Sequence, residues 1–276
     1  LMPAPVIAAI KDHLDLEAMH GGYEASDMRA DAVSGVYASV ARLINAGDDE
    51  IALTENATVA WQMAFYAQEF QRGDRILTAR AEYAANYVAF LQMARRTGVI
   101  IEVVPDDETG ALDPEALAAM MDERVKLIAI TWIPTNGGLI NPAVAVGEIA
   151  RRYGVTYLLD ACQAIGQLPV DVEEIGCDLL AATGRKFLRG PRGTGFLYVR
   201  RALLDTLEPA MIDHFGASWI VADRYELRPD ARRFETWERN YAARLGLGAA
   251  VDYALGLGLD AIRARCLHLT NYVKEE

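Results

Sequence analysis

Apolar positions divide the chain into two kinds of segment. In some stretches they recur at helical spacing, and between most of these lie short, nearly continuous apolar runs of strand length. Helices are predicted over residues 3–20, 27–45, 57–70, 86–96, 114–121, 142–153, 238–255 and 259–272. Strands are predicted over residues 50–53, 75–78, 99–104, 125–130, 155–159, 179–181 and 193–200.

The order of these segments indicates the fold class. Between residues 50 and 200, strands and helices alternate, and the strands are apolar along nearly their whole length. Such alternation is typical of an α/β protein whose largely parallel sheet is covered by helices on both faces. Beyond Asp205 the pattern loosens into a loop rich in Arg, Asp and Pro, and two helical stretches follow.

Length and charge exclude several classes of protein. A chain of 276 residues, 52% of them apolar, can bury the core of one large domain, or of one domain and part of another. A net charge of −12 argues against a nucleic-acid partner, because phosphate binding requires a concentrated basic surface. No apolar run approaches the roughly 18 residues of a membrane span, and the N-terminus has no signal-peptide pattern.

The cysteines bear on the compartment. Only three occur, at irregular spacing, so they predict neither a disulfide framework nor a zinc site. A protein with few, unpaired cysteines fits a reducing environment, and we expect it in the cytoplasm, with no metal centre.

Polar residues follow several predicted strands, where ligands gather in open α/β sheets. Asp160-Ala161-Cys162-Gln163 comes directly after one strand, and Thr183-Gly184-Arg185-Lys186-Phe187 follows the next. The segment Thr54-Glu55-Asn56-Ala57-Thr58 lies between a strand and the start of a helix. We therefore expect these three segments to meet at one edge of the sheet.

A carboxylate and a lysine at neighbouring strand ends match the needs of pyridoxal 5′-phosphate. The lysine carries the cofactor as a Schiff base and later moves the α-proton of the substrate, and the carboxylate keeps the pyridine nitrogen protonated. Lys186 and Asp160 are the candidates for these roles. The phosphate needs donors, which the N–H of Ala57 and the side chain of Thr58 would supply at a helix N-terminus.

Two longer motifs resemble a known family. Leu159–Gln167, read as LDACQAIGQ, and Gly184–Gly195, read as GRKFLRGPRGTG, are similar to the motifs of class V aminotransferases of fold type I. This group includes cysteine desulfurases, carbon-sulfur lyases and isopenicillin N epimerase-like proteins. The resemblance implies a mostly parallel seven-stranded sheet flanked by helices in a large domain over residues 46–235. It further implies an N-terminal helical segment over 1–45, and helices over 236–276 that lead to a small C-terminal domain largely missing from this chain.

The resemblance also assigns residues around the cofactor ring. Lys186 carries the cofactor, Asp160 pairs with the pyridinium nitrogen, and Gln163 donates to the ring phenolate oxygen. Asn136, in Thr135–Gly138, matches the family asparagine near the phenolate and the substrate. Simpler roles remain open for each, such as a surface lysine, a helix cap or a hydrogen bond within a loop.

Further residues are implied at the phosphate and on the ring face. Thr183 and Arg185 hold the phosphate together with Thr58, although desulfurases have histidine rather than arginine before the lysine. Tyr83 lies in the segment that supplies the aromatic stacked on the ring, although the stacking histidine of desulfurases aligns better with Ala84. Packing within a loop is an equal alternative for Tyr83.

Two other features of the sequence are ambiguous. Residues 233–240 resemble the family segment that reaches the phosphate of a neighbouring subunit, but the usual Gly-Thr pair is absent, and Trp237 or Arg239 could substitute. Cys162 precedes Gln163 and could be interpreted as a nucleophile, but a buried small apolar residue is favoured.

The reaction is predicted only in outline. Carbon-sulfur cleavage of an amino acid is favoured, of the cysteine desulfurase or the cysteine-conjugate and sulfoxide lyase type, and the absence of a cysteine at the desulfurase position favours a lyase. Aminotransfer and epimerisation are alternatives, and a non-catalytic binding module is a more distant one. A dehydrogenase is disfavoured because no G-x-G-x-x-G follows the first strand. The resemblance implies a homodimer, and it places the arginine for the substrate carboxylate and any sulfur-accepting cysteine beyond residue 276.

Overall fold

A computed structural model describes residues 1–136 and 138–275. Its main sheet consists of β1 (Ile51–Thr54), β2 (Arg75–Thr78), β3 (Ile100–Val103), β4 (Val125–Thr131), β5 (Thr156–Asp160), β6 (Leu179–Thr183) and β7 (Gly195–Val199). The strand order is β1-β7-β6-β5-β4-β2-β3. Only β7 runs antiparallel to its neighbours among these strands, β1 and β6. The mostly parallel seven-stranded sheet predicted from the sequence is confirmed.

The helices are α1 (Ala4–His20), α2 (Gly22–Met28), α3 (Ala30–Ile44), α4 (Ala57–Tyr66), α5 (Ala84–Thr97), α6 (Pro114–Ala119), α7 (Ala143–Tyr153), α8 (Val172–Ile175), α9 (Tyr241–Leu257) and α10 (Leu259–Glu275). The predicted helix over 27–45 is divided at Arg29, whose non-helical backbone separates α2 from α3. Among the described residues no single helix is long and apolar enough to cross a membrane; α9 and α10 pass that test only as a pair bent by 78°.

Both faces of the sheet are buried except at the edge strand β3, which accounts for the continuous apolar strands. Along β4, Ile128 and Ile130 pack into the cluster formed with α1, α3, α7 and α9. Leu127 and Ala129 point to the opposite cluster, which includes side chains of α4 and α5. The two faces therefore have separate apolar layers, and the strand ends lie where these layers give way to polar loops.

A hairpin lies outside the main sheet. Its strands β8 (Ala217–Val221) and β9 (Arg224–Leu227) pair antiparallel in the region that the sequence predicted as a loop. Trp219 is 79% exposed and Tyr225 is 46% exposed. The hairpin escaped prediction because it buries little of either face, so its sequence lacks the apolar pattern of the other strands.

A buried carboxylate joins the N-terminal helices to the sheet and to α9. Glu235 accepts hydrogen bonds from the Tyr37 hydroxyl at 2.9 Å, from the Leu53 N–H at 2.9 Å and from Arg244 Nη1 at 2.7 Å. Burial and the neighbouring Glu235 raise the pKa of Tyr37, so its hydroxyl stays protonated and can donate. Arg244 Nη2 in turn donates to the Leu53 carbonyl at 3.0 Å. This network fixes β1 and therefore the turn that follows it.

Candidate functional site

A cavity of about 410 Å³ opens at the carboxyl edge of the sheet. It lies where β4, β5 and β6 end and where α4 begins, at the edge predicted to bind a ligand. Its lining residues are Asn56, Ala57, Thr58, Val59, Tyr83, Thr131, Ile133, Thr135, Asp160, Cys162, Gln163, Thr183, Arg185 and Lys186. Residues far apart in the sequence thus contribute polar side chains to a single space.

Most of the residues selected from the sequence meet in this cavity. They are Ala57, Thr58, Tyr83, Asp160, Gln163, Thr183, Arg185 and Lys186. The structure places Asn136 elsewhere: its side chain is exposed and does not line the cavity, and the adjacent Gly137 is outside the described residues. Tyr83, rather than Ala84, presents its side chain to the cavity.

Asp160 is held in one orientation at the end of β5. Its side chain is buried, with one oxygen accepting the Cys162 N–H at 3.0 Å and the other accepting Asn86 Nδ2 at 3.1 Å. The backbone is fixed as well, because the Asp160 carbonyl accepts the Trp132 N–H at 2.9 Å. A buried carboxylate with lone pairs to spare can bind a protonated ring nitrogen strongly.

Lys186 lies on a compact turn after β6. The Arg189 N–H donates to the Lys186 carbonyl at 3.0 Å, and the Gly190 N–H donates to the Gly184 carbonyl at 2.7 Å. Arg189 adopts a left-handed conformation, with φ of 64°, which closes the turn. The Lys186 ammonium lies 5.7 Å from the centre of the Tyr83 ring. The amine therefore projects over the space that a planar ligand beside Tyr83 would occupy.

Gly166 allows the two motif segments to pack against each other. Its φ is +91°, and a Cβ at this position would lie 2.3 Å from the Leu188 backbone nitrogen. Any side chain there would separate the segment after Asp160 from the turn that carries Lys186. Glycine is thus required both for the backbone conformation and for the close approach.

The N-terminus of α4 forms one wall of the cavity. Asn56 caps the helix by accepting the Val59 N–H at 3.0 Å, which leaves the N–H groups of Ala57 and Thr58 available. The start of β7 is close by, since a Cβ on Gly195 would lie 2.9 Å from the Ala57 nitrogen. Free amides and the positive end of the helix dipole favour an anion such as a phosphate here.

Thr183 and Arg185 border the same part of the cavity. Thr183 is buried, and its hydroxyl donates to the Thr194 carbonyl at 3.2 Å, so it must rotate to contact a phosphate. Arg185 is exposed and makes no ion pair or hydrogen bond within residues 1–136 and 138–275. Its guanidinium is therefore free to bind an anion.

Cys162 lies in the cavity as a buried thiol. It is 8% exposed, and burial, followed by the negative charge of Asp160, raises its pKa well above the usual range. A thiol held protonated in this way is a poor nucleophile. The geometry agrees with the interpretation of Cys162 as a small buried residue.

Sequence reasoning missed the polar groups directly behind the cavity. Glu82 accepts hydrogen bonds from Thr131 and Asn86, and Asn86 connects it to Asp160. Burial raises the pKa of Glu82 to about 7, against the lowering effect of these hydrogen bonds, and the charge of Asp160 raises it further. In the sequence Glu82 was indistinguishable from a surface acid. The one available signal was that its partner Thr131 ends an apolar strand, where ligand-binding residues are expected.

The fold and the cavity define an enzyme of the fold type I class that binds pyridoxal 5′-phosphate. The whole chain, residues 1–276, matches the family described as aminotransferase class-V. The chain therefore belongs to the class-V aminotransferase family.

Individual relatives agree with this assignment. The chain is 32% identical over 271 residues to a probable cysteine desulfurase of Methanothermobacter thermautotrophicus, covering 97% of this chain and 68% of the relative. It is 33% identical over 261 residues to a probable cysteine desulfurase of Synechocystis sp., covering 92% and 61%. This chain thus spans about two thirds of the length of these relatives.

Solved structures have the same fold. The apo structure of a cysteine desulfurase from Thermococcus onnurineus NA1 superposes with a TM-score of 0.89 at 29% identity, covering 100% of this chain and 70% of that chain. The cystine C–S lyase C-DES gives a TM-score of 0.86 at 22% identity, covering 93% and 70%, and supports the fold alone.

Proposed function

We propose that this chain forms the cofactor-binding part of an enzyme that cleaves a carbon-sulfur bond in an amino acid. The observation that carries the proposal is the convergence of Lys186 and Asp160 in one cavity beside the N-terminus of α4. The amine, the carboxylate and the anion site match the three parts of pyridoxal 5′-phosphate. The relatives named as cysteine desulfurases indicate the kind of bond that is broken.

The lining residues fit the cofactor group by group. The Lys186 amine would bind it covalently, and Asp160, fixed by Cys162 N–H and Asn86, would accept the hydrogen on the ring nitrogen. The Ala57 and Thr58 amides would hold the phosphate. The exposed Arg185, Thr183 after rotation, and Gln163 would complete the set of polar contacts. Tyr83 would cover one ring face.

The bound cofactor supplies an electron sink for the electrons of a broken bond at Cα. The residues of the chain perform the remaining tasks. Once a substrate amine replaces it, the Lys186 amine is free to accept the α-proton, because it lies over the same space. Asp160 would keep the ring nitrogen protonated. With sulfur at Cβ of the substrate, removal of the α-proton by Lys186 would allow the sulfur group to leave.

The first experiment tests covalent binding of the cofactor. Purified protein is expected to show an absorption band between about 300 and 500 nm, characteristic of the bound cofactor. Borohydride should fix the cofactor irreversibly, and peptide mapping should locate it on Lys186. Absence of a band after incubation with added cofactor would contradict the proposal.

The second part of this experiment identifies the reaction. Incubation with cysteine or its S-conjugates should release sulfur, and the other product distinguishes the alternatives. Pyruvate and ammonia indicate elimination with uptake of water, whereas alanine indicates transfer of sulfur to an acceptor. A racemised substrate or a keto acid that retains its sulfur would instead indicate epimerisation or aminotransfer.

We propose that the protein acts as a homodimer, and that the hairpin β8–β9 contacts the second copy. Trp219, Ile220, Val221 and Tyr225 expose large apolar surfaces on this hairpin, which the described residues leave uncovered. Light scattering is expected to give twice the mass of one chain, and Trp219→Ser should shift the protein towards the monomer. A monomer that holds the cofactor would contradict this proposal.

The expected compartment remains the cytoplasm. Cys162, Cys177 and Cys266 are free thiols, and two of them are buried, which suits a reducing environment. We propose that the chain divides into a helical segment over 1–45, a cofactor-binding part over 46–235 and the helices over 236–276.

A further inference from the structure

A second carboxylate lies behind Asp160. Glu82, in the loop between β2 and α5, accepts the Tyr83 N–H at 2.8 Å and the Thr131 N–H at 3.0 Å. The hydroxyl groups of Thr78, at 3.1 Å, and of Thr131 also contact it. One carboxylate thus joins the carboxyl ends of β2 and β4 to the segment that carries Tyr83 into the cavity.

A single amide group connects the two carboxylates. Asn86, on the first turn of α5, is 3% exposed, and its Nδ2 donates to Glu82 at 2.9 Å and to Asp160 at 3.1 Å. Both hydrogens of this nitrogen are therefore used. If the amide turned over, its oxygen would face the two carboxylates and both hydrogen bonds would be lost. Glu82 therefore holds Asn86 with its donors towards Asp160.

We propose that Glu82, acting through Asn86, is a positioning residue that orients the Asp160 carboxylate and adds a second negative charge behind it, which keeps the ring nitrogen of the cofactor protonated. This inference rests on the proposed function. Neither residue touches the cavity, so both act on the cofactor only through Asp160.

The electrostatic surroundings of Glu82 support this role. The titratable groups that interact with it include Asp160 and Tyr157 on β5, and Lys186 lines the same cavity as Asp160. Arg80, close in sequence, is paired with Asp106 at 2.7 Å instead. No cation on its own segment therefore neutralises Glu82 among the described contacts, and its charge acts on the Asp160 site.

The charge on Glu82 changes within the physiological pH range. Its pKa is raised to about 7, so the second negative charge is present above this pH and is lost as the pH falls below it. The Thr131 hydroxyl can donate to the ionised carboxylate or accept from the protonated one, so the network persists in both states. Only the charge behind Asp160 then differs between the two states.

The test uses cofactor labelled with ¹⁵N at the ring nitrogen. The ¹⁵N chemical shift of the bound cofactor reports ring protonation directly and independently of activity. In the wild-type protein this shift is expected to change with an inflection near pH 7, where Glu82 titrates. In Glu82→Gln the inflection should disappear, and in Asn86→Ala the shift should move towards that of neutral pyridine.

Cofactor affinity gives a second measurement. Loss of one nearby charge in Glu82→Gln is expected to raise the Kd of the cofactor about tenfold, the effect of roughly one pKa unit. Asn86→Ala keeps the charge but removes the hydrogen bond to Asp160, so it should also raise the Kd. Asp178→Asn is the matched control: Asp178 also has a raised pKa and accepts the Tyr157 N–H at 2.9 Å, but it lies at the opposite end of β5. This control should leave the ¹⁵N profile and the Kd unchanged.

The outcomes separate this inference from the proposed function. If the wild-type protein binds no cofactor, both fail. If it binds cofactor on Lys186 but its ¹⁵N shift has no inflection near pH 7, the inference fails and the function stands. The inference also fails if Asn86→Ala or Glu82→Gln reproduces the wild-type profile. The wild-type titration can overturn the inference even if a variant does not fold, and the loss of the inflection in Glu82→Gln assigns it to Glu82.

Discussion

Replacement of Lys186 by alanine is expected to abolish covalent cofactor binding and to lower the rate of sulfur release by at least about 10³-fold. Among the described residues, Lys186 is the one lysine that lines the cavity, and in the proposed function its amine would be both the point of attachment and the acceptor of the α-proton. The variant should still bind the cofactor non-covalently, because the anion site and Asp160 are intact. Borohydride should then fix no cofactor to the chain.

Lys126→Ala is the matched control for this loss. Lys126 is exposed on β4, and its amine donates to the Glu123 carbonyl at 2.9 Å and to no other group of the described residues, so its removal should leave the spectrum and the rate unchanged. The assignment of Lys186 is wrong if Lys186→Ala releases sulfur at the wild-type rate, or if borohydride fixes the cofactor to another lysine of the wild-type protein.

Replacement of Glu235 by alanine is expected to lower the free energy of unfolding by about 3–5 kcal/mol. The Glu235 side chain has no exposed surface, and its loss leaves the buried Arg244 guanidinium without its carboxylate. The Tyr37 hydroxyl and the Leu53 N–H lose their acceptor at the same time. Because Leu53 belongs to β1, weaker cofactor binding at the start of α4 should accompany the lower stability. Urea denaturation measures the first effect and cofactor titration the second.

Asp252→Ala supplies a control, because it also removes an ion pair between α3 and α9, the two helices that Glu235 contacts. Asp252 on α9 pairs with Arg42 on α3 at 2.9 Å, but the side chains are 56% and 65% exposed. The solvent screens such a pair, but Asp252 also accepts the hydroxyl of the buried Ser39 at 2.7 Å, so Asp252→Ala should cost about 1 kcal/mol, well below the loss expected for Glu235→Ala. Equal losses from Glu235→Ala and Asp252→Ala would contradict the role of burial.

A double variant tests whether the unpaired charge causes the loss at Glu235. Glu235→Leu combined with Arg244→Met removes both charges of this ion pair and keeps apolar volume, while Arg239, which lies 3.4 Å from Glu235, loses its carboxylate in either variant. The double variant should therefore be more stable than Glu235→Ala alone. If the double variant is no more stable than Glu235→Ala, the loss in the free energy of unfolding comes from lost packing rather than from the buried guanidinium.

The sequence predicted the sheet well because the apolar pattern that marks a buried strand lies within the strand itself. The strands of the main sheet other than the edge strand β3 are buried on both faces, so nearly every position in them must be apolar. The hairpin β8–β9 has no such constraint, since Trp219 and Tyr225 remain exposed, and its sequence resembles a loop. The division of the predicted helix 27–45 at Arg29 was also invisible, because the residue itself is compatible with a helix.

The sequence by itself determined which chemical groups reach the ligand-binding edge. A residue that ends a parallel strand lies at that edge regardless of strand order, so Asp160, Thr183 and Lys186 could be selected from position and motif alone. A helix that starts directly after a strand brings its free amides there too, as for Ala57 and Thr58. These predictions depend only on chain direction and local structure.

Only the tertiary structure decided which groups act together. Glu82, Asn86 and Asp160 form one network because β2, α5 and β5 are brought together by the strand order, which no local pattern contains. The same applies to Glu235, whose partners lie up to 198 residues away. Hydrogen bonds between distant segments, and the burial that shifts the pKa of Glu82, exist only once the sheet has assembled, so a single sequence identifies the chemical groups but not their partners.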